Sequence, residues 1–195
     1  MELIFATNNS HKLHEVKEKL RLINSNIEVV GLSEIGFFDD IPETGDTLQA
    51  NALQKAQMIF DFCGKNCFAD DTGLEIEALN GEPGVYSARY AGENCSFDDN
   101  INLVLSKLHG KTNRKACFKT VIALFLDGKI HYFEGRIDGE ITTEKHGAEG
   151  FGYDPIFRPD GYSETFAELP LEIKNRISHR GRAIDELVKF LTVYQ

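Results

Sequence analysis

Leu3, Ile4, Phe5 and Ala6 form a short unbroken apolar run, which reads as a buried strand. The polar cluster Thr7-Asn8-Asn9-Ser10 follows. Leu13, Val16 and Leu20 then recur at helical spacing, with Lys12, Glu15, Lys17 and Glu18 on the polar side. A strand, a polar loop and a helix in succession aim a loop and a helix N-terminus at one point, a favourable place for an anion. Residues 27–32 form a second strand candidate. Pro42-Glu43-Thr44-Gly45-Asp46-Thr47 reads as a loop leading into a helix, with Asp46 or Thr47 as its cap. That helix carries Leu48, Ala52, Ala56, Ile59 and Phe60 and stops near Gly64. Asn51 and Lys55, four apart, share one of its faces.

Cys67-Phe68-Ala69 reads as a short strand ending at Asp70-Asp71-Thr72-Gly73, and Leu74-Glu75-Ile76-Glu77 alternates like a half-exposed strand. Residues 81–92 are glycine-rich and contain Pro83, as a loop would be. Ile101, Val104, Leu105 and Leu108 mark a helix closed by Gly110. Residues 116–126 and 130–134 flank Asp127-Gly128, a strong hairpin signal. Residues 147–155 form a second glycine-rich loop, and Ile184, Leu187, Val188 and Leu191 form the apolar stripe of a C-terminal helix. Mixed helices and strands with an antiparallel hairpin predict an α/β domain with a mixed sheet.

Composition sharpens this picture only in places. The 195 residues suit a single domain spanning 1–195. Hydrophobic residues at 42% and charged residues at 27% are ordinary for a globular chain. A net charge of −10 repels polyanions on average, so no nucleic-acid partner is expected. A small anionic ligand would instead need cations gathered at one place. Cys63, Cys67, Cys95 and Cys117 lack zinc spacing and read as reduced thiols. No leader peptide is visible and no segment approaches the roughly 18 apolar residues of a membrane span, so a cytoplasmic chain with no membrane partner is expected.

Five clusters carry candidate chemistry. Asp70-Asp71, read at a strand end, is either an Asp-rich turn or a magnesium site, since magnesium prefers one or two carboxylates with waters and phosphates. Glu43 matters only where the fold brings it to Asp71. Thr7-Asn8-Asn9-Ser10-His11-Lys12 suits a phosphate or an ordinary helix cap; it is not a P-loop, and Gly110-Lys111-Thr112 lacks the first glycine of one. Gly150-Phe151-Gly152-Tyr153-Asp154-Pro155 presents aromatics that stack on a base or dip into the core. Lys174 with Ser178-His179-Arg180 supplies positive charge, or a solvated helix start.

Together these pieces resemble the inosine triphosphatase family, the non-canonical purine NTP pyrophosphatases also called Ham1-like proteins. The resemblance rests on Thr7 to Lys12 (T-x-N-x-x-K), Glu43-Thr44-Gly45, Asn51 with Lys55, Ala69-Asp70-Asp71-Thr72-Gly73-Leu74, Gly84-Val85-Tyr86-Ser87-Ala88-Arg89-Tyr90, Gly150-Phe151-Gly152-Tyr153-Asp154-Pro155 and Ser178-His179-Arg180. The motifs run in family order over residues 7–182, and the ordered set is specific where each alone is weak. The resemblance implies a long central mixed β-sheet with flanking helices and two lobes around a substrate cleft, a homodimer, and Mg2+-dependent cleavage of ITP, dITP and XTP to monophosphate and pyrophosphate. By position it implies Asp71 as general base and metal ligand, assisted at the metal by Glu43 and Asp70. It implies that Thr7, Asn8, Asn9, Ser10, His11, Lys12, Asn51, Lys55, Thr72, Phe151, Gly152, Tyr153, Asp154, Lys174, His179 and Arg180 bind the nucleoside triphosphate. The chain departs from the pattern at Pro42, where some relatives carry a further acid, and at Asn8, where many carry glycine. A nucleotide-binding regulatory module, or a pyrophosphatase for other modified nucleotides, are the rival readings.

Overall fold

The computed structural model describes residues 1–22 and 26–194. In chain order its elements are β1 (Glu2–Phe5), α1 (Ser10–Leu22), β2 (Glu28–Val30), α2 (Leu48–Cys63), β3 (Cys67–Ile76), β4 (Pro83–Gly84), α3 (Phe97–Lys107), β5 (Lys115–Leu126), β6 (Lys129–Ile141), β7 (Phe157–Pro159), α4 (Leu171–Ile177) and α5 (His179–Tyr194). The strands are hydrogen-bonded in the order β2-β1-β3-β5-β6-β7, and β4 pairs with β3. β1 runs parallel to β2 and β3, whereas β3–β4 and β6–β7 are antiparallel, so the sheet is mixed as expected.

Two compact units emerge. The first comprises Met1–Asp71, Thr120–Gly135 and Arg180–Gln195; the second comprises Thr72–Lys119 and Arg136–His179. In the first unit the strands are apolar on both faces because both faces are covered. Leu3, Phe5, Phe68, Ile122 and Leu124 pack with Val16 and Leu20 of α1 and Ile184, Leu187 and Leu191 of α5. Their neighbours Ile4, Ala6, Cys67, Ala69, Ala123 and Phe125 pack with Ala52, Ala56 and Ile59 of α2. This is the two-residue alternation of a strand, expressed as two cores. Phe5 stacks on Phe68 with ring centroids 4.5 Å apart, as the Phe5–Phe68 register requires. In the second unit Leu74, Ile76, Phe118 and Ile137 pack with Ile101 and Val104 of α3 and with Tyr153, Phe157 and Phe166.

Local chemistry sets the element ends. Thr47 Oγ1 accepts from Ala50 N and starts α2, and Gly64 ends it in the left-handed region. Asp127 and Gly128, with φ of 50° and 74°, form the tight turn between β5 and β6.

Three expectations change. The segment Asp70-Asp71-Thr72-Gly73 is not a turn: β3 runs unbroken from Cys67 to Ile76, so the two acids lie within the strand and are buried. The strand expected over 27–32 contracts to Glu28–Val30, because residues 32–35 turn into a short 3₁₀ segment closed by Gly36. The helix expected to close at Gly110 ends at Lys107, with the Leu108 N–H bonding back to Val104. It begins at Phe97, where Ser96 and Asp99 cap each other reciprocally.

Candidate functional site

The alternation of β3 gives adjacent acids different surroundings. Asp70 follows the parity of Phe68 and meets α1 and α5; Asp71 follows Cys67 and Ala69 and meets α2. Asp70 is 2% exposed. Its Oδ1 accepts from Lys12 Nζ at 3.0 Å and its Oδ2 from Arg180 Nε at 3.1 Å. Arg180 also donates from Nη1 to Glu15 Oε2. Burial would raise the Asp70 pKa, but Lys12, Arg180 and Lys55 outweigh it and hold the carboxyl well below the usual range. Burial likewise works against the Arg180 cation, and Asp70 with Glu15 overcomes it.

On the other side, Asp71 Oδ2 accepts from Asn51 Nδ2 at 3.0 Å, and Lys55 Nζ stands 3.6 Å from its Oδ1. Lys55 also donates to Glu43. Burial raises the Asp71 pKa and Glu43 adds to this; Lys55, Lys12 and the Asn51 hydrogen bond pull the other way without cancelling it. The Lys55 ammonium is opposed by burial, yet Asp71 and Glu43 outweigh that and raise its pKa.

The Glu43-Thr44-Gly45 segment is tied to the same helix. Thr44 N donates to Gln54 Oε1, and Gly45 N donates to Asn51 Oδ1 at 2.7 Å. A Cβ at Gly45 would lie 2.7 Å from Ala50 Cβ and 2.8 Å from Asn51 Oδ1, so only glycine permits this approach. In the first loop, Asn9 Oδ1 accepts from His11 N and Lys12 N, and Thr7 Oγ1 accepts from Asn9 N. Asn9 thus caps α1, while Asn8 donates to Asp39 O, and Ser10 and His11 are exposed.

The second unit holds the remaining candidates. Lys174 Nζ donates to Asp154 Oδ2 at 2.6 Å, both buried, and Asp154 also accepts from Phe151 N. Lys174 Nζ lies 5.0 Å from the Phe151 ring centroid. The Tyr153 ring joins the core and its OH donates to Ser87 O, so of the two rings only Phe151 stays partly exposed. Gly152 is half-buried between them, and Thr72 lies half-buried on β3. His179 is buried and stacks on Phe118 at 4.5 Å. Lys174, His179 and Arg180 are therefore not a solvated helix start.

Glu15, on the polar side of α1 by sequence, is buried in the site. It sits one helical turn from Lys12, and that spacing was the available signal; its burial depends on Arg180, 165 residues away.

For a metal, the described residues contain no group of three or more His, Cys, Asp or Glu placed to hold an ion. The donor set that exists is the carboxylate pair of Asp71 and Glu43, which already share one cation, the Lys55 ammonium. Such a pair fits a divalent ion that takes its other ligands from water and phosphate oxygens. Among the described residues no helix is long and apolar enough to cross a membrane.

Residues 3–190 match the Ham1 family model. The chain is similar to a Flavobacterium johnsoniae protein named dITP/XTP pyrophosphatase, at 53% identity over 192 residues covering 98% of each chain. A Porphyromonas gingivalis protein of the same name is 53% identical over 191 residues, 97% of each chain. Among solved structures, the Staphylococcus aureus Ham1 protein aligns with a TM-score of 0.88 and 42% identity over 100% of each chain. A Coxiella burnetii HAM1 protein aligns with a TM-score of 0.88 and 41% identity over 98% of each. With its ordered motifs, its mixed sheet and these likenesses over almost its whole length, the chain belongs to the Ham1 family.

Proposed function

We propose that this chain hydrolyses the non-canonical purine nucleoside triphosphates ITP, dITP and XTP to monophosphate and pyrophosphate, as one pyrophosphatase domain spanning residues 1–195. The observation that carries the reading is Asp71: a buried carboxylate with a raised pKa, held by Asn51 and Lys55 beside Glu43. A general base works best when its pKa is drawn toward the working pH. The names of the relatives support the substrate class.

In this reading Asp71 accepts a proton from the water that attacks the α-phosphorus, and pyrophosphate leaves. Lys12 and Lys55 stabilise the growing negative charge on the phosphates. Glu43 and Asp71 would hold Mg2+, which supplies charge neutralisation and a more acidic water. Asp70 supports the centre by fixing Lys12 and Arg180. Thr7, Asn8, Asn9, Ser10 and His11 border the phosphates and Thr72 the sugar, with Phe151, Gly152, Tyr153, Asp154, Lys174 and His179 serving the base and triphosphate. Positioning and charge account for most of the rate. Donors such as Arg180 favour the six-position carbonyl of inosine and xanthine over the amino group of adenine, which would face donor against donor. A cytoplasmic homodimer is carried by the family resemblance.

The test is pyrophosphate release from ITP, XTP, dTTP, GTP and ATP, with and without Mg2+. Turnover of ITP and XTP that needs the ion is expected. Release from none of the five overturns the reading in favour of a binding module, and a preference for dTTP overturns the purine assignment.

A further inference from the structure

Asn51 is fully buried on α2, and both ends of its amide are used. Its Oδ1 accepts from Gly45 N at 2.7 Å and its Nδ2 donates to Asp71 Oδ2 at 3.0 Å. The orientation is forced: a backbone N–H only donates, so the amide oxygen must face Gly45 and the NH2 must face Asp71. One turn further along α2, Lys55 makes the same pair of attachments, to Asp71 on one side and to Glu43 on the other. The two oxygens of Asp71 are therefore addressed by two residues four apart on one helix. Each of those residues also grips the Glu43-Thr44-Gly45 segment. Gly45 is packed so closely on Ala50 and Asn51 that the segment has no room to drift toward the helix.

We infer that Asn51 is a positioning residue rather than a substrate ligand: it locks the rotation of the Asp71 carboxylate and sets its spacing from Glu43 through a single amide bridging strand β3 to the 43–45 loop. This rests on the proposed role of Asp71. It assigns Asn51 a task that the sequence pattern, which groups it with nucleotide-binding residues, does not suggest. A carboxylate free to rotate spends much of its time misaligned with the water it must deprotonate, and a misplacement of about 1 Å can cost about a hundredfold in rate.

Two measurements test this on the full chain. The first is steady-state hydrolysis of ITP with Mg2+ by Asn51→Ser. The expected result is a kcat lower by about a hundredfold with KM within about threefold of the parent. A raised KM with kcat preserved would mean that Asn51 holds substrate, and would overturn the inference. So would parental kcat and KM in the folded fraction.

The second measurement is thermal unfolding, which needs no activity. Asn51→Asp keeps the acceptor for Gly45 N but turns an acceptor toward Asp71, and should lower Tm by about 5 °C or more. Combining it with Asp71→Asn restores a donor opposite an acceptor and should recover most of that loss while turnover stays as low as in Asp71→Asn alone. A double variant no more stable than Asn51→Asp alone overturns the bridge. Absence of turnover in the parent chain would sink the proposed function, while the unfolding cycle would still decide whether the amide bridges as described.

Discussion

Lys12 Nζ lies 3.0 Å from Asp70 Oδ1 across 58 residues of sequence, inside a strand-and-helix core where neither charge would be tolerated alone. With Arg180 on the other oxygen, Asp70 is paired with two cations at once. Removing one member of a buried ion pair leaves the other uncompensated. Asp70→Asn is therefore expected to lower unfolding stability by about 3–5 kcal/mol, read from urea denaturation. A loss under about 1 kcal/mol would show that Lys12 and Arg180 do not depend on it.

Asp71→Asn should behave in the opposite way. The amide keeps a similar shape, and Lys55, which loses one counter-charge, keeps Glu43 as the other. Folding is expected to be retained and nucleotide binding largely preserved, while turnover falls by about a hundred- to ten-thousandfold, the range of a lost general base. Pyrophosphate release close to the parent rate would remove Asp71 from that role.

The contrast between the two acids extends to pH. Asp71 must be ionised to take a proton, and its pKa is raised, chiefly by burial. Activity should decline on the acid side with a midpoint above the ordinary value of about 3.9. Asp70 is shifted downward by its cations, so its contribution to stability is complete above about pH 4 and is lost only as pH falls toward its depressed folded value. The chain should thus lose catalysis before it loses structure. A kcat/KM profile set beside circular dichroism over the same acid range checks the order.

Gly45→Ala should damage the centre from a distance. The new methyl would meet Ala50 Cβ at 2.7 Å and Asn51 Oδ1 at 2.8 Å, forcing the 43–45 segment away from α2. Overpacking of this kind costs about 1–3 kcal/mol. The accompanying displacement of Glu43 should weaken the affinity for Mg2+, measured as a higher ion concentration for half-maximal rate.

Burial also marks Cys67. The Cys67 thiol is pushed up to about 12, mainly by desolvation. A raised thiol pKa contributes stability below the unfolded value of about 8.5, which is lost as pH rises toward 12. Cys67 should resist alkylation by iodoacetamide at pH 8 in the native chain and react once urea is added. Rapid native labelling at this position would contradict its packing.

Much of the fold is legible from periodicity, because α1, α2, α5 and the Asp127-Gly128 hairpin follow local rules of spacing, capping and turn conformation. The errors share one origin. The strand reads as ending at Asp70-Asp71-Thr72-Gly73, since two acids inside a strand need partners. Those partners, Lys12 and Arg180, lie 58 and 110 residues away. Glu15 reads as part of the polar side of α1, yet it is buried against Arg180. For Tyr153 the sequence leaves stacking and core placement open, and the bond of its hydroxyl to Ser87, 66 residues away, accompanies the core placement. Local pattern identifies the carboxylates, but only long-range pairing tells which of them is structural.

The first unit is assembled from three separate stretches of chain, and its core joins Leu3 and Phe5 to Leu187 and Leu191. A ribosome therefore delivers the opening strand long before the helix that covers it. Until α5 is made, the apolar face of β1 lacks Ile184, Leu187 and Leu191. Completion of this half must come late, after the last helix has cleared the exit tunnel, and the nascent chain has a prolonged need for shielding against association with its neighbours.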